Sequence, residues 1–210
     1  MSSLESTPVI PLIQAEDTGV AINIANALKA GGLTTLEVVL RTDAAMTCMQ
    51  AIAEEVDGVT VGAGTVLTPA QVNEAADCGA QFIVSPGLND DVVAASKDRG
   101  LEIYPGTATP SEVQLAWNLG LKTVKFFPAG LAGGVPMLKA LSSVFRQMSF
   151  MPTGGVSAST LKSFLEVPAV VACGGSWLTP QAEIDAGNFD AITTLAREAL
   201  SLVSEVRPNI

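Results

Sequence analysis

The stretch TVGAGTVLTPAQVNEAADCGAQFIVSP, residues 60–86, holds one complete structural unit of the chain. Its first part, Thr60–Val66, reads as a strand. Thr68-Pro69 then places a capping hydroxyl just before a proline at the first helical position. Pro69–Ala76 has helical spacing, and Cys78-Gly79 supplies the glycine that commonly ends a helix. Phe82–Pro86 is strand-like again.

The same alternation runs through the rest of the chain. Strands are expected at Val9–Gln14, Thr35–Leu40, Thr60–Val66, Phe82–Pro86, Glu102–Gly106, Thr123–Pro128, Phe150–Gly154 and Ala169–Gly174. Helices are expected at Ala15–Ala30, Ala44–Glu55, Pro69–Ala76, Asn89–Arg99, Pro110–Leu119, Val135–Phe145, Ala158–Leu165 and Phe189–Val203. Eight such units in 210 residues fit a small α/β fold, the (β/α)8 TIM barrel. An open doubly wound sheet is the alternative, but the first strand lacks a G-x-G-x-x-G turn. No linker or shift of composition divides the chain, so a single barrel domain over residues 1–210 is expected.

Composition narrows the function. With 48% apolar and 15% charged residues, the chain is suited to a packed core rather than disorder. A net charge of −10 without a basic cluster argues against nucleic-acid binding, and no run reaches membrane-spanning length. The opening MSSLESTPVIPLIQ has no basic residue ahead of its apolar run and does not read as a signal peptide. The chain has no histidine, which excludes Ser-His-Asp and Cys-His catalysis. Cys48, Cys78 and Cys173 lack metal-ligand spacing, so no metal site is expected, and a reducing cytoplasm suits them. Proton transfer therefore falls to Glu, Asp, Lys, Tyr or water.

In a barrel the reactive face lies at the C-terminal ends of the strands. The sequence puts Arg41, Thr65, Ser85-Pro86-Gly87, Pro105-Gly106-Thr107, Thr153-Gly154-Gly155 and Gly174-Gly175-Ser176 there. Lys125 lies in the apolar run Thr123–Pro128, on the same face as Phe127 and opposite Val124 and Phe126. Burial disfavours an ammonium, and the neutral amine is the form that attacks a carbonyl. A lysine that snorkels from an edge strand is the plainer alternative. Glu37, Val39 and Arg41 share one face of their strand, while Leu36, Val38 and Leu40 suit the helix side. Glu37 then points into the barrel and can pair with Lys125, either as a nucleophile–proton-shuttle couple or as a structural ion pair.

Arg41 suits a carboxylate or phosphate, or is a solvated loop arginine. Thr65 offers a hydroxyl, or simply turns the chain. Thr153, Gly154, Gly155, Gly175 and Ser176 follow the seventh and eighth strands, where barrels frequently build a phosphate site. Together these residues describe a site for a phosphorylated carbonyl compound.

The motifs LEVVLRT (36–42), VGAGTVL (61–67), SPGL (85–88), VKFFPA (124–129), PTGGV (152–156) and GGSWL (174–178) occur in this order. On them the chain resembles the 2-keto-3-deoxy-6-phosphogluconate (KDPG) aldolases, which include bifunctional 4-hydroxy-2-oxoglutarate (KHG) aldolases. The resemblance runs from about Val9 to Arg197. It implies a class I lyase that forms a Schiff base at Lys125, with Glu37 as acid–base, partly through water. Arg41 and Thr65 would hold the pyruvoyl carboxylate, and Gly154, Gly155 and Ser176 the 6-phosphate. Pro86 and Phe127 would line the pocket.

It further implies pyruvate and a phosphorylated 2-oxo sugar acid as ligands, no metal or cofactor, a homotrimer, and Entner-Doudoroff-type catabolism. Two departures stand out. Only eight residues precede the first expected strand, so a helix covering the barrel bottom would be short or absent. Gln14-Ala15-Glu16-Asp17 also lacks the basic side chain that some relatives carry there. The rival readings are KHG cleavage, an isomerase or thiamine-phosphate-type synthase, and a catalytically dead phosphate-binding barrel.

Overall fold

The computed structural model describes residues 7–208; residues 1–6, within the stretch read for a signal peptide and a covering helix, lie outside the described residues. Strands and helices alternate as β1 (Val9–Ile13), α1 (Thr18–Ala30), β2 (Thr35–Val39), α2 (Ala45–Glu55), β3 (Thr60–Gly64), α3 (Pro69–Asp77), β4 (Phe82–Ser85) and α4 (Asp90–Asp98). They continue as β5 (Glu102–Thr107), α5 (Pro110–Asn118), β6 (Thr123–Phe126), α6 (Gly134–Val144), β7 (Ser149–Pro152), α7 (Ala158–Leu165) and β8 (Cys173–Gly175). A 3-10 turn (Ser176–Leu178), α8 (Gln181–Asp185) and α9 (Phe189–Val206) complete the order.

The strands pair in parallel in the order β7-β6-β5-β4-β3-β2-β1-β8. The two ends meet where Phe150 bridges Val170, which makes a nearly closed (β/α)8 barrel. The eight expected units are all present.

Period-two alternation divides the strand residues between two cores. Leu36, Val38, Val61, Ala63, Ile83, Val124, Phe126 and Phe150 face the helices and belong to the large outer core. Ile10, Phe82, Val84, Tyr104, Met151 and Ala172 form the small core inside the barrel. Paired residues of parallel strands point to the same side, so register carries this division around the sheet. Leu12, Glu37 and Gly62 stand in one row, and Gly106, Lys125 and Met151 in another. Both charged residues expected to point inward do so.

The helix starts follow the capping chemistry. Thr68 and Thr109 each accept from the backbone three residues on, and Gln71 and Glu112 return the bond. Asp17 and Asn89 cap α1 and α4 by accepting from the backbone N of Val20 and Val92. These N-termini lie at the C-terminal ends of the strands, and their positive ends favour anions on the reactive face.

Several strands stop sooner than the residue pattern suggests, because the chain turns outward there to form the mouth. β2 ends at Val39, where Arg41 N donates to Val39 O. β3 ends at Gly64, just before Thr65 takes a left-handed φ of 61°. β6 ends at Phe126, ahead of a cis Phe127–Pro128 peptide. The expected strand Ala169–Gly174 is split: a turn closed by Val170 N on Val167 O leaves only a bridge at Val170, and β8 begins at Cys173.

Candidate active site

Lys125 and Glu37 project into the barrel from β6 and β2. Lys125 is 2% exposed and Glu37 is fully buried. Lys125 Nζ lies 3.8 Å from Glu37 Oε1, an ion pair longer than a hydrogen bond. Among the described residues, neither oxygen of the Glu37 carboxylate has a hydrogen-bond partner. A buried carboxylate without donors is costly, so this one is poised to accept from a substrate hydroxyl or water. An amine and a carboxylate acceptor side by side in a buried interior can act as a nucleophile with a neighbouring proton-transfer group.

Phe127 lies at the rim, with Lys125 Nζ 5.0 Å from its ring centroid. Pro86 is half-buried, and its carbonyl occupies the space that a side chain on Gly106 would fill. Gly106 is the register partner of Lys125, so Pro86, at the end of β4, lies two strands from the amine with β5 between. Phe127 thus borders the Lys125 amine, and Pro86 borders the neighbouring strand at Gly106.

Arg41 and Thr65 meet at the mouth, where Arg41 Nε donates to Thr65 Oγ1 at 3.1 Å. Arg41 is exposed, and its remaining guanidinium donors can take a carboxylate. Thr42 Oγ1 donates to Ala15 O at 2.8 Å, which ties this loop to the one after β1.

The loops after β7 and β8 lie side by side. A Cβ built on Gly174 would meet Thr153 Cγ2 at 2.8 Å. Gly154 and Gly155 take φ of 83° and 84°, a backbone that glycine adopts without strain. This leaves their surface bare for an anion, as α7 opens shortly after. The arrangement also joins the two halves of the site, since a Cβ on Gly154 would lie 3.2 Å from the Phe127 ring. Gly175 is buried against Trp177, and Ser176 is exposed at the head of the 3-10 turn.

Two features escape the sequence reading. The loop after β6 is part of the cradle: Ala129 N donates to Thr153 O and Gly130 N to Gly154 O, each at 2.8 Å. The glycines of Ala129–Gly134 were its available signal. Gly64 falls inside the expected strand and inside β3, but its role beside Glu37 goes unread: a Cβ there would collide with the Glu37 carboxylate. Its signal was a glycine two residues after Gly62, on the same face of a strand beside β2.

A family model for KDPG and KHG aldolases matches residues 1–195. A KHG/KDPG aldolase of Escherichia coli K12 is 45% identical over 199 residues, covering 95% of this chain and 93% of that protein. A 2-dehydro-3-deoxy-phosphogluconate aldolase of Zymomonas mobilis is 43% identical over 198 residues, covering 94% and 93%. Among solved structures, a KDPG aldolase of Legionella pneumophila superposes with a TM-score of 0.91 at 38% identity, over 93% of this chain and 95% of that one. In that crystal, pyruvate is captured at low pH as a covalent carbinolamine intermediate. A thiamine phosphate pyrophosphorylase of Pyrococcus furiosus, with a TM-score of 0.70 but 15% identity, shares the fold alone. The chain belongs to the KDPG and KHG aldolase family.

Proposed function

We propose that this protein is a class I aldolase that cleaves 2-dehydro-3-deoxy-6-phosphogluconate to pyruvate and glyceraldehyde 3-phosphate. The observation that carries the reading is the buried Lys125 beside a Glu37 carboxylate free of hydrogen bonds. The Lys125 amine adds to the C2 carbonyl and loses water, which leaves an iminium. Glu37 takes the proton of the C4 hydroxyl, and the C3–C4 bonding electrons flow into the iminium. The aldehyde departs and an enamine remains. Return of a proton to C3 and hydrolysis of the imine release pyruvate and the free amine.

Arg41 and Thr65 hold the substrate carboxylate, while Thr153, Gly154, Gly155, Gly175 and Ser176 receive the phosphate. Pro86 and Phe127 cover the imine. The relatives support this assignment, because a Legionella pneumophila enzyme 38% identical to this chain captures pyruvate as a covalent carbinolamine intermediate. Three free cysteines fit a cytoplasmic protein. A homotrimer, read by light scattering of the purified protein, completes the proposal.

Incubation with pyruvate and borohydride tests the chemistry. A reduced adduct on Lys125, found by peptide mass spectrometry, is the expected result, and its absence sinks the aldolase reading. Lys125→Ala loses cleavage. Glu37→Gln keeps imine formation and slows proton transfer.

The relatives favour 4-hydroxy-2-oxoglutarate as a second substrate, since the KHG/KDPG aldolase of Escherichia coli K12 is 45% identical to this chain. Steady-state kinetics on both purified acids sets the order, and an equal or higher kcat/KM on the unphosphorylated acid reverses it.

A further inference from the structure

Glu37 presents a problem of orientation. Carboxylates are usually aimed by the donors they accept from, and this one accepts from none among the described residues. Its ion-pair partner stands 3.8 Å away, too far to fix a rotamer. Packing also bears on its orientation, and the neighbouring strand supplies it. Glu37 pairs in register with Gly62 and Val39 with Gly64, so both glycines lie on the inward face beside Glu37.

A Cβ built on Gly64 would collide with Glu37 Oε1 and come within 2.7 Å of Cγ and 2.8 Å of Cδ. These are the atoms of the outer half of the side chain. The backbone at Gly64 is not left-handed, so its φ does not call for glycine. Space alone does. Gly62 makes room in the same way for the ring of Phe82, deeper in the barrel.

We propose that Gly64 is a positioning residue for the aldol reaction: the hollow left by its missing side chain seats the Glu37 carboxylate beside Lys125. A methyl group there pushes the carboxylate off the reacting carbons and leaves the amine in place. This rests on Glu37 being the proton-transfer group.

The test is Gly64→Ala, followed by three readouts. Borohydride trapping of pyruvate on Lys125 persists. The kcat for cleavage falls about 100-fold, the scale of an ångström's misplacement, while KM changes little. Solvent deuterium exchange into the pyruvate methyl group falls in parallel with kcat. Exchange at the wild-type rate overturns the proposal.

A stability arm decides the matter even where Gly64→Ala folds poorly. Glu37→Ala empties the hollow's occupant, so the Glu37→Ala/Gly64→Ala protein should melt at the Tm of Glu37→Ala alone. A double variant as destabilised as Gly64→Ala overturns the proposal, because the clash then lies elsewhere. Full activity in Glu37→Gln strikes instead at the proton-transfer reading, and the Tm comparison separates the two failures.

Discussion

Thr65 is the one non-glycine residue with a left-handed φ, 61°, among the described residues. For a β-branched side chain this backbone is strained by about 1–2 kcal/mol. The strain is held where Arg41 Nε reaches the threonine hydroxyl, at the mouth of the barrel. Thr65→Gly should therefore raise stability by about 0.5–1 kcal/mol, because glycine relieves the strain but loses more entropy on folding. The same change removes the hydroxyl partner of Arg41, so KM should rise about tenfold, the loss of one hydrogen bond to a charged group. Urea denaturation and steady-state kinetics measure both, and a less stable variant means the strain is not there. At this scale the sequence speaks through misfits. Lys125 and Glu37 are legible because each interrupts an apolar alternation, and the face they take follows from counting by twos. The strain at Thr65 and the hollow at Gly64 are not legible, because each depends on a neighbour across the sheet rather than on adjacent residues.

The helices test how far local chemistry sets an element. Thr109 caps α5, and the Glu112 carboxylate accepts from Ala108 N, Thr109 N and Thr109 Oγ1 at 2.7–2.8 Å. Partial burial pushes the Glu112 carboxyl up, but these three hydrogen bonds outweigh it and hold it below its ordinary value. A carboxyl lowered by folding adds stability above its unfolded value, and that stability is lost as pH falls through the folded value. Glu112→Ala should thus cost about 0.5–1 kcal/mol at neutral pH, the scale of a capping interaction. The gap between the two proteins should close in acid, and thermal melts across the acid range would read it. A gap independent of pH would assign the loss to something other than the carboxylate. Such caps explain why the start of α3 is readable from Thr68-Pro69, and α5 opens on the same pair at Thr109-Pro110. By contrast, the 3-10 turn and α8 went unread, being too short for helical periodicity to register.

At the scale of the molecule, the barrel has one weak seam. Seven of its neighbouring strand pairs are ladders, while β7 meets the segment before β8 through Phe150 N on Ala169 O and Val171 N on Phe150 O. The alternation of strands and helices foretold a barrel, but closure depends on residues far apart in the chain. α9 returns to this seam after the last strand. From its C-terminal end Arg207 donates to Val170 O at 2.6 Å, Leu165 O at 2.9 Å and Val171 O at 3.3 Å. One planar guanidinium thereby satisfies two carbonyls of the segment before the short β8 and one at the C-terminal end of α7. The seam also separates Thr153 from Gly174 to Ser176, so the proposed phosphate site spans it. Arg207→Ala should cost about 2–3 kcal/mol, the scale of charge-assisted bonds to buried carbonyls. Amide hydrogen exchange should accelerate first at Phe150 and Val171, ahead of the β2–β3 ladder. Cleavage of the phosphorylated substrate should weaken through KM more than pyruvate trapping does, since Lys125 and Glu37 stand on the other side of the barrel wall from the seam's pin. Arg207→Lys should restore only part of the stability, because a single ammonium cannot reach all three carbonyls with the same geometry. Uniform acceleration of exchange throughout the sheet would show that Arg207 supports the fold globally and has no particular hold on the seam.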